Sequence, residues 1–200
     1  MKTPTQTIEV RTQQELDRAL EGDMVPVCTG SESFEISGNA HIFAEDHASI
    51  IAHGQCVISA DGYAQVAAYD QCQVTARGQV EVTAHNDCYV NIDASAYLRD
   101  SAAVKQTGGW AMVYGNCHVV AKGYSSVIAL GHTFVSAHDH ANVQAWNNSA
   151  AHGYDDSVIK TWESAAAHGY GDCRIVQRGW GDVIDQSARI YLAQKAPVNA

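Results

Sequence analysis

The side chains in this chain that could do chemistry are histidines, thiols, carboxylates and aromatic rings, and their spacing carries most of the information. His138 and His140 stand two apart in "HDH". On an extended strand that spacing puts both imidazoles on one outward face, a candidate metal pair, with His132, His152 and His168 nearby in sequence. Protein zinc sites generally take three or four ligands, so a pair alone predicts neither metal nor cofactor. The six cysteines include no C-x-x-C pair, which argues against a thiolate zinc site. No Ser, Cys or Thr has a recognisable partner-base motif, and no Gly-rich stretch matches a phosphate loop, so a non-enzyme is expected. What recurs is aromatic and acidic: "SAAHGYDD" (149–156) returns as "AAAHGYGD" (165–172), each with a tryptophan three residues ahead, Trp146 and Trp162.

Elements that could position such residues follow from the repeat. From Ser37 the chain divides without a gap into "SGNAHIFA", "EDHASIIA", "HGQCVISA", "DGYAQVAA", "YDQCQVTA", "RGQVEVTA" and "HNDCYVNI". The unit is x-(G/D/N)-x-(A/C)-x-(V/I)-x-A. It resumes at Tyr114 after "SAAVKQTGGWAMV" (101–113), which adds five residues to one block. Apolar or small residues at alternate positions mark extended chain, whereas a period of 3.6 would scatter Ile42, Ile50, Ile58, Val66, Val74, Val82 and Val90 around a cylinder. Strands this short bury an apolar face only by stacking as a solenoid.

The fold class expected is all-β: a parallel β-helix, or β-solenoid, of octapeptide repeats. Sixteen-residue echoes, among them Cys56, Cys72 and Cys88, favour two octads per coil; a three-sided coil of twenty-four residues is the alternative. At a sheet spacing of roughly 4.8 Å, about nine coils would make a rod on the order of 45 Å long. Cys56, Cys72, Cys88, Cys117 and Cys173 share the inward small-residue slot with alanine, which reads as buried free thiols.

Three segments result. Residues 1–36 form a cap: "QTIEV" is a strand, "TQQELDRAL" a helix opened by a Thr12/Glu15 capping box with Leu16, Ala19 and Leu20 on one stripe, and "MVPVCTG" a second strand. A helix there would cover the strand edges that a solenoid leaves bare. Residues 37–185 are the octad solenoid, with an irregular insertion near 101–113. Residues 186–200 hold a last strand or cap, "ARIYLA", and a tail.

The octads resemble the A-x-V-x-A-x-G octapeptide-repeat proteins of actinobacteria and their phages. The run "IEVRTQQELDRALEGDMVPV" resembles the N-terminal cap of right-handed parallel β-helix proteins of the pectate-lyase type. The first resemblance implies a β-solenoid in a phage-type setting. The second implies the cap alone, since no octad presents the clustered acidic calcium ligands and basic residue that lyase chemistry needs.

With sixteen residues per coil, Tyr114, Leu130, Trp146, Trp162 and Arg178 fall in one column, and His138, Tyr154 and Tyr170 fall in the column of the opposite edge. Aromatic columns stabilise corners by covering adjacent coils. Exposed Trp and Tyr are also the usual anchors of interfaces. The partner-binding residues expected are Tyr114, Trp146, Tyr154, Asp155, Asp156, Trp162, Glu163, Tyr170 and Asp172. Twelve basic and twenty-two acidic residues give a formal net charge of −10. That balance disfavours direct binding to nucleic acid or an anionic membrane and suits a protein partner with a basic surface. With no apolar run of membrane length and a polar N-terminus, the cytoplasm is the compartment expected.

Two functions fit. One is a phage-type inhibitor or nucleic-acid mimic that engages a host DNA-binding system such as a CRISPR effector or gyrase, although its acids are dispersed and form no regular rows. The other is a structural or adhesive solenoid that binds glycan through the aromatic strip, or associates with itself there as a homo-oligomer.

Overall fold

In a computed structural model, residues 6–22, 24–98, 102–185 and 189–192 are described. They fall into two compact units, Met1–Ala103 and Val104–Ala200. Both are parallel β-solenoids.

The first unit contains β1 (Thr7–Val10), α1 (Gln13–Leu20), β2 (Val25–Cys28), β3 (Ser33–Ile36), β4 (His41–Ala44), β5 (Ser49–Ala52), β6 (Val57–Ala60), β7 (Gln65–Ala68), β8 (Gln73–Ala84) and β9 (Tyr89–Leu98). β1 pairs with β2, and from β2 to β8 each strand pairs in parallel with the strand segment sixteen residues on. Ile42 lies opposite Ile58 and Ile58 opposite Val74 on one face, while Phe34 lies opposite Ile50 and Ile50 opposite Val66 on the other. Two strands per sixteen residues make the coil two-sided, which excludes three sides. The apolar ladder read from the sequence is therefore two ladders facing each other, all of them buried. Cys56, Cys72 and Cys88 lie inward on consecutive coils and are free thiols, as the echoes predict.

The corners explain the second octad position. Every Gly, Asp or Asn there with positive φ takes the left-handed conformation, as Asp46, Asp70, Asn86, Asp139, Asn147 and Asp155 do at φ between 56° and 63°. Asp and Asn tolerate this region better than other residues with a side chain. The carboxylates have a second task. Asp70 Oδ2 accepts from the Gly54 amide one coil earlier at 3.0 Å, and in the second unit Asp139 accepts from Gly123 at 3.0 Å and Asp155 from Asp139 at 3.2 Å. A corner amide that the sheet ladder leaves over is satisfied by the next coil.

The helix begins where the capping signal places it. Thr12 is the N-cap and its hydroxyl accepts from the Glu15 amide, while Glu15 Oε2 reaches back to the Arg11 amide. Leu16 and Ala19 are buried, but Leu20 is 37% exposed and stands outside the buried stripe. Gln13 bonds to the Glu35 backbone of β3, so α1 does cover a strand edge.

The octad frame starts before Ser37. "TGSESFEI" (29–36) already follows it, with Gly30 at positive φ and Phe34 and Ile36 buried. Irregularity also starts earlier than 101–113. Val82 lies opposite Ala96 and Ala84 opposite Leu98, fourteen residues apart, after a register shift between Arg77 and Glu81. With Ala96, Leu98, Ala102, Val104, Gln106, Ala111 and Val113 all buried, residues 93–113 read as units of six, eight and seven residues. Shortened corners replace the expected insertion.

The second unit contains β10 (Ala103–Val113), β11 (His118–Ala121), β12 (Ser126–Ala129), β13 (Phe134–Ala137), β14 (Asn142–Ala145), β15 (Ala150–Gly153), β16 (Val158–Thr161), β17 (Ala166–Gly169), β18 (Arg174–Gln177), β19 (Val183–Asp185) and β20 (Arg189–Leu192). One face is built by β10, β12, β14, β16, β18 and β20, and the other by β11, β13, β15, β17 and β19. The duplicated stretches are the same positions on successive coils, with His152 opposite His168 and Gly153 opposite Gly169. Gly153 fills an inward slot where most octads have alanine. A Cβ there would collide with Cys173 Sγ and come within 2.8 Å of Ile159 Cδ1. The strand at the C-terminal end is present as β20; the tail after it, 193–200, lies outside the described residues.

Candidate functional site

All nine residues expected to meet a partner lie in the second unit, on two opposite edges. Turns that follow β15 and β17 carry Tyr154, Asp155, Asp156, Tyr170 and Asp172. Turns that follow β10, β14 and β16 carry Tyr114, Trp146, Trp162 and Glu163. Glu163 is thereby separated from the aspartates, and it accepts from Asn147 Nδ2 at 2.6 Å while holding a φ of 54°.

On the tyrosine edge, His138, Tyr154 and Tyr170 form one ring ladder, with centroids 4.7 and 4.9 Å apart and planes within 8° of parallel. Asp155 lies 3.8 Å from His138 Nδ1 and Asp156 lies 3.9 Å from His140 Nδ1, and the two carboxylate side chains are 60% and 67% exposed. The "HDH" run sits in the turn between β13 and β14, not on a strand. His138 stacks on Tyr154 while His140 stacks on Tyr124, so the two imidazoles serve different columns and form no chelate.

On the tryptophan edge, Trp146 and Trp162 stack at 4.5 Å with planes 2° apart, and the Arg178 guanidinium lies 5.8 Å from the Trp162 ring. The facing sides of the two indoles are thus in contact with each other, and Arg178 covers Trp162. Sequence reasoning passed over Trp180, which is 77% exposed in the turn after β18, beside Arg178. Its cue was available: it is a large apolar residue in the third octad position, which in most octads lies in a turn.

Ring ladders are not confined to these edges. His53, Tyr69 and His85 stack at 4.8 and 4.9 Å in the first unit, with Asp70 4.0 Å from His53 Nδ1. The column of aromatic rings is therefore a way of closing corners, to which exposed carboxylates add chemistry only at particular places.

The thiols are inert by position. Burial pushes Cys28 up to about 12 and, aided by Cys72, Cys56 up to about 11. Cys88 is held above the usual thiol range by its hydrogen bond with Cys72 and by burial, and Cys72, stabilised by that bond, is the first of the pair to lose its proton. Both sulfurs are fully buried. Among the described residues no three His, Cys, Asp or Glu side chains gather as a metal-binding group. One recess is an open groove between turns, lined by Gly54, Gln55, Asp70, Gln71, Asn86 and Asp87. No helix among the described residues is long and apolar enough to cross a membrane.

Compared with known proteins, the chain matches no family model, no curated protein and no solved structure.

Proposed function

We propose that this protein is a non-catalytic binding protein whose tyrosine edge in the second unit engages a basic surface of a protein partner. The supporting observation is the charge of that edge. Asp139, Asp155, Asp156 and Asp172 fall within three successive turns, and Lys122 is the only Lys or Arg in the turns of that edge from 122 to 173. Tyr154 and Tyr170 stand beside the carboxylates and supply rigid apolar area at little entropic cost. In the phage-type setting that the octads suggest, the partner class is a host DNA-binding protein such as a CRISPR effector or gyrase, met in the cytoplasm. The acids recur at the coil step, so the mimicry is of a charged surface and not of a phosphate row.

Glycan binding at the tryptophan edge is the second reading, favoured by the exposure of Trp180. Stacking on a sugar needs an open ring face, which the paired Trp146 and Trp162 offer least on their shared side.

Salt separates the two. Binding to fractionated basic host proteins should weaken at least tenfold between low and high salt, because exposed charges are screened over about 8–10 Å at physiological ionic strength. It should be abolished by Asp155→Ser/Asp156→Ser/Asp172→Ser. Glycan-array binding that ignores salt and disappears with Trp180→Ala would replace this reading with the adhesive one.

A further inference from the structure

In the first unit, a recess of about 350 Å³ opens on the outward side of β4, β6 and β8, where these strands turn into their corners. Side chains of Phe43, Glu45, Ser59, Asp61, Thr75 and Arg77 line it. The ladder accounts for its shape. Phe43 lies opposite Ser59 and Ser59 opposite Thr75, so two small residues follow the phenyl ring in one column. Rings in the corner columns are covered by the ring sixteen residues on, as Tyr69 is by His85. Among the described residues Phe43 meets only the ring of His41, on its own strand, at 5.7 Å and tilted by 37°, so no ring covers it from the next coil. We propose that this recess binds a neutral saccharide, with one pyranose ring of a short glycan stacked on Phe43.

The groups that converge there are those a pyranose uses. An aromatic face takes the C–H side of a sugar ring. Carboxylate oxygens accept hydrogen bonds from neighbouring sugar hydroxyls, and a guanidinium donates two in parallel. Ser59 and Thr75, both half-buried, add hydroxyls that can donate or accept. The charged groups are uncommitted. Asp61 Oδ1 accepts from the Gly62 amide at 2.7 Å, which fixes the carboxylate and leaves Oδ2 to a ligand. Among the described residues, neither Glu45 nor Arg77 has a side-chain hydrogen bond or an ion pair, although Arg77 stands one coil beyond Asp61. Two carboxylates against one guanidinium leave a formal negative charge, which disfavours a phosphorylated or acidic sugar. The volume is at the lower end of the range for ligand pockets, so the ligand is small or is the tip of a larger one. Both edges described above belong to the second unit, so occupancy here is independent of the basic partner proposed there.

The test is a titration of the full nitrogen-15-labelled chain with maltose, cellobiose, lactose and mannobiose, read from backbone amide shifts. At least one disaccharide should shift the amides of Phe43, Ser59, Asp61, Thr75 and Arg77, with a Kd on the order of 1 mM. Salt should change it little, because no net charge is exchanged. Phe43→Ala and Arg77→Gln should each weaken it at least about tenfold, a loss of roughly 1.4 kcal/mol. Asp61→Asn keeps an acceptor for the Gly62 amide and should weaken it at least about fivefold. All three side chains point outward, so the variants should keep the wild-type circular dichroism. Trp180→Ala should leave binding within about twofold by the same measure, which separates this recess from the tryptophan edge. The assignment is overturned if none of these disaccharides shifts the named amides, if the shifts gather elsewhere, or if Phe43→Ala and Arg77→Gln bind as the wild type does. It is also overturned if glucose 6-phosphate or free phenylalanine shifts the same amides at lower concentration than any disaccharide.

Discussion

The Gln13 carboxamide is bonded at both ends to one residue, Glu35: its nitrogen donates to the Glu35 carbonyl at 3.0 Å, and its oxygen accepts from the Glu35 amide at 2.8 Å. A single side chain thus offers β3 the donor and acceptor that a further strand would have offered. Gln13→Ala should cost about 1–2 kcal/mol for two hydrogen bonds and raise light scattering on storage, since a bare strand edge recruits other chains. Leu16→Asp, at a fully buried position, should cost about 3 kcal/mol or more. Urea denaturation of both variants gives the ranking; an unchanged midpoint for Leu16→Asp would mean that α1 does not cover the core.

Asp70 combines left-handed backbone at φ 63° with a bond to the Gly54 amide. Three substitutions separate the two contributions. Asp70→Asn should be nearly neutral, Asp70→Gly should lose only the side-chain bond, and Asp70→Ala should be the worst, by about 1–2 kcal/mol, because it loses the bond and keeps the backbone strain. Thermal unfolding that placed alanine above glycine would contradict the corner geometry.

Gly153→Ala should destabilise the second unit by about 2 kcal/mol or more, since the added methyl has Cys173, Ile159 and Ser157 in its way. Combining it with Cys173→Ala should restore part of that loss. The coupling appears in a double-substitution cycle, where strict additivity would deny the contact.

Proton linkage gives a fourth expectation. His152 binds its proton less tightly when folded than in the unfolded chain, where the value is about 6.5. The unfolded state therefore takes up more protons as pH falls through that value, so the contribution of His152 to stability is complete above it and is lost progressively below. His168→Gln should flatten that part of the dependence between pH 7 and pH 5 by removing the neighbouring charge; urea midpoints across the range test it, and an unaltered slope would count against coupling of the two rings.

None of the six cysteines is more than 1% exposed. Ellman's reagent should find essentially no reactive thiol in the folded protein and six after denaturation. Rapid labelling of any one without denaturant would place it outside the core.

Much of this architecture was readable from spacing. The coincidences at Cys56, Cys72 and Cys88 specified the coil because inward slots admit only small residues, and Thr12 and Glu15 located the helix because a cap is a local device. Spacing alone makes 101–113 an insertion, because a corner can lose one or two residues without changing which strand residues face inward, and an alignment by blocks of eight sees only the total. "HDH" was taken for strand because Asp139 at left-handed φ leaves no mark in hydrophobic periodicity. The stacking of His152 on His168 was not legible, since neither residue differs from its neighbours until the register places one ring on the other. That the position-two aspartates serve the backbone could not be read from composition, which counts a carboxylate as charge whatever it is bonded to.

The sixteen-residue register also has a genetic consequence. "SAAHGYDD" and "AAAHGYGD" occupy equivalent places on consecutive coils, so recombination that misaligned their coding segments would insert or delete one complete coil. Every remaining residue would keep its inward or outward orientation and its octad position, and the flanking coils would meet an equivalent position above or below. A gene of this kind can change the length of its product in whole coils while keeping the inward and outward pattern of every octad.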